Sequence, residues 1–262
     1  MRIAHFTPEQ RATMLDLRRA CSGRTIVLIG ASALGCWLEM RWRRTNDLDL
    51  TVVADQGELR EMLRARSWEP DSRHEQRWVS PHGVTVDLLP ASAANLARGE
   101  ILFSQSGRTM NLAGFDLAIK QNVLLELEEG AAVAVATVPV IVVLKMAAWL
   151  DRPSERDRDL EDIAHVFNEY LDPSDLRRWD ESMLETNLDF EEQGAFVLGR
   201  ELAGIIDGHH RKVIASFVGK AAVEESAHHA HFARHFRPSE DPSRLLLGCL
   251  RALELGLREI PH

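Results

Sequence analysis

Two periods of apolar and polar residues run along the chain, one after the other. Up to about residue 138, short apolar runs such as TIVLIG (25–30) are bounded by glycine, proline and polar residues, which is typical of buried strands. Segments with apolar residues three or four positions apart, such as 57–66, lie between these runs and predict helices. Beyond residue 138 the helical period dominates, with a break near Pro238–Pro242. The pattern predicts a strand-rich part followed by a helical part.

The strand-rich part also shows where individual elements begin and turn. Thr7-Pro8 predicts a helix start, because threonine caps a helix and proline suits its first position. Turn-forming residues at 81–83 and 128–130 predict two hairpins. The predicted strands are residues 24–30, 47–53, 77–80, 84–90, 123–127 and 132–138. The predicted helices are residues 8–20, 31–40, 57–66, 115–122, 138–152 and 154–171.

Two aspartates stand in the second predicted strand. Side chains alternate between the faces of a strand, so Asp47 and Asp49 share one face while Leu48 and Leu50 face the core. Carboxylates at this spacing lie roughly 6–7 Å apart. They repel each other by about 2.5 kcal/mol at an effective dielectric constant of about 20. Either this face is solvated, or a cation such as Mg²⁺ balances the charge.

A third carboxylate, Asp87, lies in the predicted strand 84–90. Three acids on neighbouring strands can hold two metal ions, which stabilise the attacking and leaving oxygens of a phosphoryl or nucleotidyl transfer. The alternative is the polar face of an exposed sheet. Asp47, Asp49 and Asp87 are therefore candidate metal ligands.

Composition and charge narrow the class of protein. Of the 262 residues, 45% are hydrophobic and 27% are charged, as in ordinary globular proteins. The longest apolar run, 131–150, is broken by Pro139 and Lys145, so we expect no membrane association. Three widely spaced cysteines without a CxxC pair, and an N-terminus that turns polar early, indicate a cytoplasmic protein with reduced thiols. A net charge of −9 argues against a protein that coats nucleic acid. The segment RWRR (41–44) is either part of a local basic groove or a solvated loop.

The order of these pieces resembles the DNA polymerase β-like nucleotidyltransferase superfamily: a strand, Gly30-Ala31-Ser32 at a helix start, Asp-x-Asp on a strand, and one more aspartate on a later strand. Many members have glycine or serine where this chain has Ala31. More of the chain resembles the AbiEii-like branch, which includes toxins of bacterial toxin–antitoxin systems. The matching pieces are IGASALGCW (29–37), RRTNDLDL (43–50), VTVDLLP (84–90), VPVIVVLKMAAWLDR (138–152) and RDLEDIAHVFNEY (158–170).

The resemblance implies an α/β (α+β) fold. A nucleotidyltransferase core with a mixed sheet and flanking helices would span residues 1–138, and a helical C-terminal region, 139–262, would complete the active-site cleft. The implied reaction moves a nucleoside monophosphate from an NTP to a hydroxyl of RNA, tRNA or protein, with Mg²⁺ or Mn²⁺, in a toxin-type enzyme with an antitoxin partner. Two alternatives stay open: a non-catalytic nucleotide-binding or interaction protein, and an enzyme that modifies a small, aminoglycoside-type molecule.

The resemblance also implies roles for single residues. Asp47 and Asp49 would bind the metal, and Asp87 would complete the site and act as a general base. The nucleotide would be held by Gly30, Ser32, Arg44 and Lys145, with Asp159 and Asp162 as supporting residues. From the residues alone, Lys145 lies in an apolar helix, where it either finds a partner or reaches out to solvent. For Asp159 and Asp162 the alternative is a solvated helix face.

Overall fold

The computed structural model describes residues 5–40, 45–236 and 239–259. The chain forms two compact units, Met1–Ile141 and Val142–His262. The first unit contains all of the strands found in the described residues, and the second is helical there. A mixed sheet with helices around it and a helical C-terminal region confirm the fold class predicted from the sequence.

A mixed sheet forms the centre of the first unit. Its strands belong to the set β1 (Ile26–Ile29), β2 (Leu48–Val52), β3 (Glu69–Pro70), β4 (Arg77–Val79), β5 (Thr85–Pro90), β6 (Glu100–Leu102), β7 (Thr109–Asn111), β8 (Asn122–Glu128) and β9 (Ala131–Ala136). Seven of them lie in the order β3-β4-β5-β2-β1-β9-β8, while β6 and β7 pair separately. Strand β2 is antiparallel to β1 and parallel to β5, so it lies in the buried middle of the sheet.

Helices connect these strands. The helices of the first unit are α1 (Pro8–Ala20), α2 (Gly30–Trp37), α3 (Gln56–Arg64), α4 (Ala93–Arg98) and α5 (Phe115–Lys120), and α6 (Val138–Asp151) begins at its end. Thr7 caps α1, where its hydroxyl accepts the Gln10 N–H and the Gln10 side chain accepts the Thr7 N–H. Helix α2 starts directly after β1 and packs against β1, β2 and β9. Its first turn therefore lies at the end of β1.

Most predicted elements are present, with shifted bounds. The hairpins β4–β5 and β8–β9 are confirmed as antiparallel pairs. The second strand begins at Leu48, so Asp47 directly precedes it. Gly30, predicted as the end of the first strand, is the first residue of helix α2. The short elements α4, β6 and β7 were not predicted, because residues 91–112 show neither a clear helical nor a clear strand period.

The second unit is a set of helices. Its elements after α6 are α7 (Asp157–Glu169), a 3-10 helix (Leu176–Trp179), α8 (Glu181–Leu184), α9 (Gln193–Ala203), α10 (Gly208–Ala221), α11 (Ala227–Ala233) and α12 (Pro242–Arg258). Phenylalanines from several helices meet in its core, where Phe167, Phe217 and Phe232 are at most 1% exposed.

Helices α9 and α12 approach each other backbone to backbone. A Cβ atom on Gly199 would lie 2.2 Å from the carbonyl oxygen of Leu253, and one on Gly256 would lie 2.1 Å from that of Phe196. Real Cβ atoms do not come so close to backbone oxygens, so any side chain at either position would force the helices apart. Each helix thus supplies a glycine to a contact that only glycine permits.

The three cysteines are all free and buried. Burial raises the pKa of Cys21 to about 11 and that of Cys36 to about 12, so both thiols stay protonated at neutral pH. Within the described ranges, no helix combines the length and the apolar character needed to cross a bilayer.

Candidate active site

Asp49 and Asp87 are brought side by side by the pairing of β2 with β5. These two strands run parallel, and Asp49 is the register partner of Asp87. On the other side of β2, Asp49 pairs with Ile29, the last residue of β1. Both aspartates are half-buried, whereas the residues on either side of each of them are buried. These buried neighbours fix the direction of both strands, so both carboxylates point to one face of the sheet.

Gly30, which directly follows β1, lies against the side chain of Asp49. Its φ of +66° lies in the left-handed region, which favours glycine. A Cβ atom here would lie 2.4 Å from Oδ2 of Asp49 and 3.0 Å from the Cβ and Cγ atoms of that residue. The missing side chain at the start of α2 is therefore what makes room for the carboxylate of Asp49.

Asp47 and Ser32 are joined through the backbone. The Ser32 hydroxyl donates to the carbonyl oxygen of Asp47 over 2.7 Å, and Ser32 itself is buried. This bond fixes the segment that leads into β2 to the first turn of α2. The side chain of Asp47 is exposed. Ser32 thus positions Asp47, and its role towards a phosphate stays a prediction.

Arg77 is an additional residue of this site. It is the register partner of Asp87 in the β4–β5 hairpin, and its guanidinium donates to both oxygens of Asp87, Nε to Oδ1 and Nη2 to Oδ2, each over 2.9 Å. The bond to Asp87 raises the pKa of Arg77 above its ordinary value, and the negative charges of Asp87, Asp47 and Asp71 act in the same direction. Arg77 therefore shares one electrostatic environment with Asp47 and Asp87.

The residues present fit a Mg²⁺ ion held partly by substrate. Mg²⁺ commonly takes one or two carboxylates and completes its shell with phosphate oxygens and water. Asp47 is exposed, and Asp49 has room beside Gly30, so this pair suits such an ion. Across residues 5–40, 45–236 and 239–259, no group of three or more acidic, histidine or cysteine side chains is arranged to hold a metal. The third candidate ligand, Asp87, accepts two hydrogen bonds from Arg77.

Lys145, in the second unit, forms ion pairs with two carboxylates. Its Nζ lies 3.0 Å from Oδ1 of Asp159 and 2.6 Å from Oδ2 of Asp162. Lys145 is 5% exposed and Asp162 is fully buried, which excludes a lysine that reaches out to solvent. Oδ2 of Asp159 is buried and has no hydrogen-bond partner in the described part of the chain. Two buried carboxylates thus share one ammonium group.

Arg44, expected to bind nucleotide, lies outside the described residues, as does the rest of RWRR (41–44). The contact of Arg77 with Asp87 was missed, although the sequence carries a signal for it. The hairpin turns around His82, and Arg77 and Asp87 are equally distant from that residue along the chain. Opposite charges at such positions form a cross-strand pair.

The space at Gly30 gives a testable prediction. In Gly30→Ala, the left-handed backbone costs about 1–2 kcal/mol, and the clash with Asp49 adds about 1–3 kcal/mol of overpacking. Gly83→Ala is the matched control, because Gly83 has a φ of +77° but nothing within 4 Å of its Cβ position. We expect urea unfolding to show the larger loss for Gly30→Ala. Equal losses in the two variants would contradict the close approach of Asp49.

The profile of the family described as "Nucleotidyl transferase AbiEii toxin, Type IV TA system" matches residues 16–246. No curated protein sequence matches the chain significantly.

Two solved structures match this chain over most of their length. One is an antigenic nucleotidyltransferase-like protein from Paracoccidioides brasiliensis, with 16% identity, a TM-score of 0.43, and coverage of 86% of this chain and 94% of its own. The other is a putative nucleotidyltransferase from H. pylori, with 15% identity, a TM-score of 0.36, and coverage of 96% of both chains.

The family match includes the Gly30 turn, the three aspartates and the helices that carry Lys145, Asp159 and Asp162. It covers well over half of the chain. The protein belongs to the AbiEii nucleotidyltransferase toxin family of type IV toxin–antitoxin systems.

Proposed function

We propose that this nucleotidyltransferase moves a nucleoside monophosphate from an NTP to a hydroxyl group of RNA, tRNA or protein, in the cytoplasm. The observation that carries the proposal is the room that Gly30 leaves for Asp49, directly beside Asp87 on the next strand. Family membership favours a catalytic protein over a nucleotide-binding protein without turnover. The three buried, free thiols agree with a reducing compartment.

The start of α2 is the proposed place for the phosphates. Its N-cap is Ile29, whose side chain accepts no hydrogen bond, and its first turn carries no acidic residue. The first N–H groups of a helix and its dipole attract anions. Ser32 supports this turn from inside, since its hydroxyl is bonded to the carbonyl of Asp47. We propose that these N–H groups orient the triphosphate with its α-phosphorus towards the carboxylates.

Asp47 and Asp49 are the proposed metal ligands, with Asp87 as the third. A bound Mg²⁺ or Mn²⁺ would supply positive charge to the phosphate and leaving-group oxygens. The acceptor oxygen forms a bond to the α-phosphorus, the bond from that phosphorus to the oxygen bridging to the β-phosphate breaks, and pyrophosphate leaves with the electron pair. Asp87 takes the proton of the acceptor hydroxyl once an oxygen of its carboxylate is released by Arg77.

A labelling experiment tests this function. The protein is incubated with Mg²⁺, total RNA or cytosolic protein, and each of the four NTPs labelled with ³²P at the α-phosphate. We expect label on an RNA or protein band for at least one NTP, and none in EDTA. The same NTP labelled at the γ-phosphate is the matched control, because nucleotidyl transfer leaves that phosphate in pyrophosphate.

Two results would contradict the proposal. Label from the γ-phosphate would indicate phosphoryl transfer, and no label from any α-labelled NTP on either acceptor would exclude these acceptors. Label that appears only on an added aminoglycoside would favour the small-molecule alternative. The antitoxin partner that the family implies is tested separately, by whether co-expression with the neighbouring gene prevents the labelling.

A further inference from the structure

We propose that Arg77 is a positioning residue that holds Asp87 in the enzyme without substrate and competes with a divalent cation for its carboxylate. The inference rests on the proposed function, because it assigns a role towards the metal of that reaction. Arg77 then lowers the affinity of the site for metal as long as no nucleotide is bound.

The geometry of the pair carries this inference. Both oxygens of Asp87 accept from the guanidinium at 2.9 Å, so Arg77 engages one lone pair on each of them and neutralises the charge that would attract another cation. The backbone imposes the pairing, since Arg77 and Asp87 are register partners on adjacent strands. The pair is accessible as well, because 33% of the Arg77 side chain and 19% of the Asp87 side chain are exposed. A cation from solvent can therefore reach Asp87 and compete for it.

The charges around Arg77 show that it remains a cation at this site. Asp87, Asp47 and Asp71 place negative charge around one guanidinium, which keeps its proton at any ordinary pH. A divalent cation would therefore compete with a permanently charged group for the carboxylate of Asp87.

Nucleotide would make that exchange easier. A guanidinium displaced from Asp87 pairs well with phosphate oxygens, to which it donates two parallel hydrogen bonds. Metal and nucleotide would then strengthen each other's binding, because each removes the cost that the other faces. Such coupling is reciprocal and typically amounts to about 5–150-fold in affinity.

Mn²⁺ binding distinguishes this role from a purely structural one. Electron paramagnetic resonance of free Mn²⁺ gives the metal affinity of the full-length protein with and without a non-hydrolysable NTP analogue. For Arg77→Gln without nucleotide, we expect Mn²⁺ affinity about tenfold above wild type. The gain in Mn²⁺ affinity on adding nucleotide should shrink by the same factor. Arg77→Lys, which keeps the charge but loses the fork, should lie between the two.

Arg73→Gln is the matched control. Arg73 is exposed and lies four residues before Arg77, so its replacement removes the same charge from the same part of the surface. We expect its Mn²⁺ affinity to change less than twofold. If Arg77→Gln does not fold, Arg77→Lys carries the test, because it retains a cation opposite Asp87.

The outcomes separate this inference from the proposed function. If wild type binds Mn²⁺ with nucleotide, and the arginine variants bind it no more tightly without nucleotide, the inference is wrong and the proposed function stands. If neither wild type nor the variants bind Mn²⁺ with or without nucleotide, the proposed function fails, and the inference fails with it. A tenfold gain in Mn²⁺ affinity that also occurs in Arg73→Gln would contradict the inference, because general surface charge would then explain it.

Discussion

Asp49→Asn is expected to lower nucleotidyl transfer by about 10³-fold, the size seen when one group that stabilises transition-state charge is removed. The fold should change in stability by no more than about 1 kcal/mol, the size of a cross-strand contribution such as that of Asp49 with its register partner Asp87. Asparagine has nearly the shape of aspartate, so it fits the space beside Gly30. The loss of activity has a separate cause, because the substitution removes a charge that would hold the metal.

The measurement pairs the α-labelled NTP assay with urea unfolding in EDTA. Asp55→Asn is the matched control, because Asp55 is exposed and makes no side-chain cap to helix α3. It should keep both its activity and its stability. An Asp49→Asn variant that transfers label at the wild-type rate would remove Asp49 from the reaction, whereas a clear loss of stability would mean that Asp49 is chiefly structural.

Lys145→Met has the largest expected effect on stability. Methionine fills the space of the lysine stem but leaves the buried carboxylates of Asp159 and Asp162 without their shared cation. Breaking a buried ion pair in this way costs about 3–5 kcal/mol, because an uncompensated charge remains in the interior. We expect the helical signal at 222 nm to be lost at a correspondingly lower urea concentration.

Two further variants identify the cause. Lys120→Met removes a lysine of α5 that is 69% exposed and paired with Asp116, so it should cost less than about 1 kcal/mol. The triple variant Lys145→Met, Asp159→Asn, Asp162→Asn removes the carboxylate charges as well and should recover most of the loss. If the triple variant is as unstable as Lys145→Met alone, packing of the lysine rather than charge explains the effect.

The sequence predicted the elements whose patterns are local. The cap at Thr7 fixes the start of α1 at Pro8, and the alternation of Leu48 and Leu50 with Asp49 fixes which face of β2 is buried. The turn residues at 81–83 and 128–130 gave both hairpins. These predictions succeed because a cap, a turn and a strand face depend on residues only a few positions apart.

Features that depend on distant residues were harder to predict. Residues 91–112 form short elements that tertiary contacts stabilise, so their own sequence carries little signal. The parallel pairing of β2 with β5 sets Asp49 beside Asp87, and no rule of local sequence gives that register. The family resemblance predicted that these aspartates belong to one site. It does not include Arg77, whose contact with Asp87 follows from the register of the hairpin.

The glycine contact between α9 and α12 has a consequence for how the chain is made. Residues 204–241, which include α10 and α11, separate the two helices, so α9 leaves the ribosome long before the helix it packs against. The sheet of the first unit, in contrast, has all its strands once β9 ends at Ala136. The first unit can therefore fold during synthesis, whereas the glycine contact of the second unit can form only after α12 has been made. For a toxin, this order of synthesis sets an interval between the formation of the carboxylate site and the folding of the second unit.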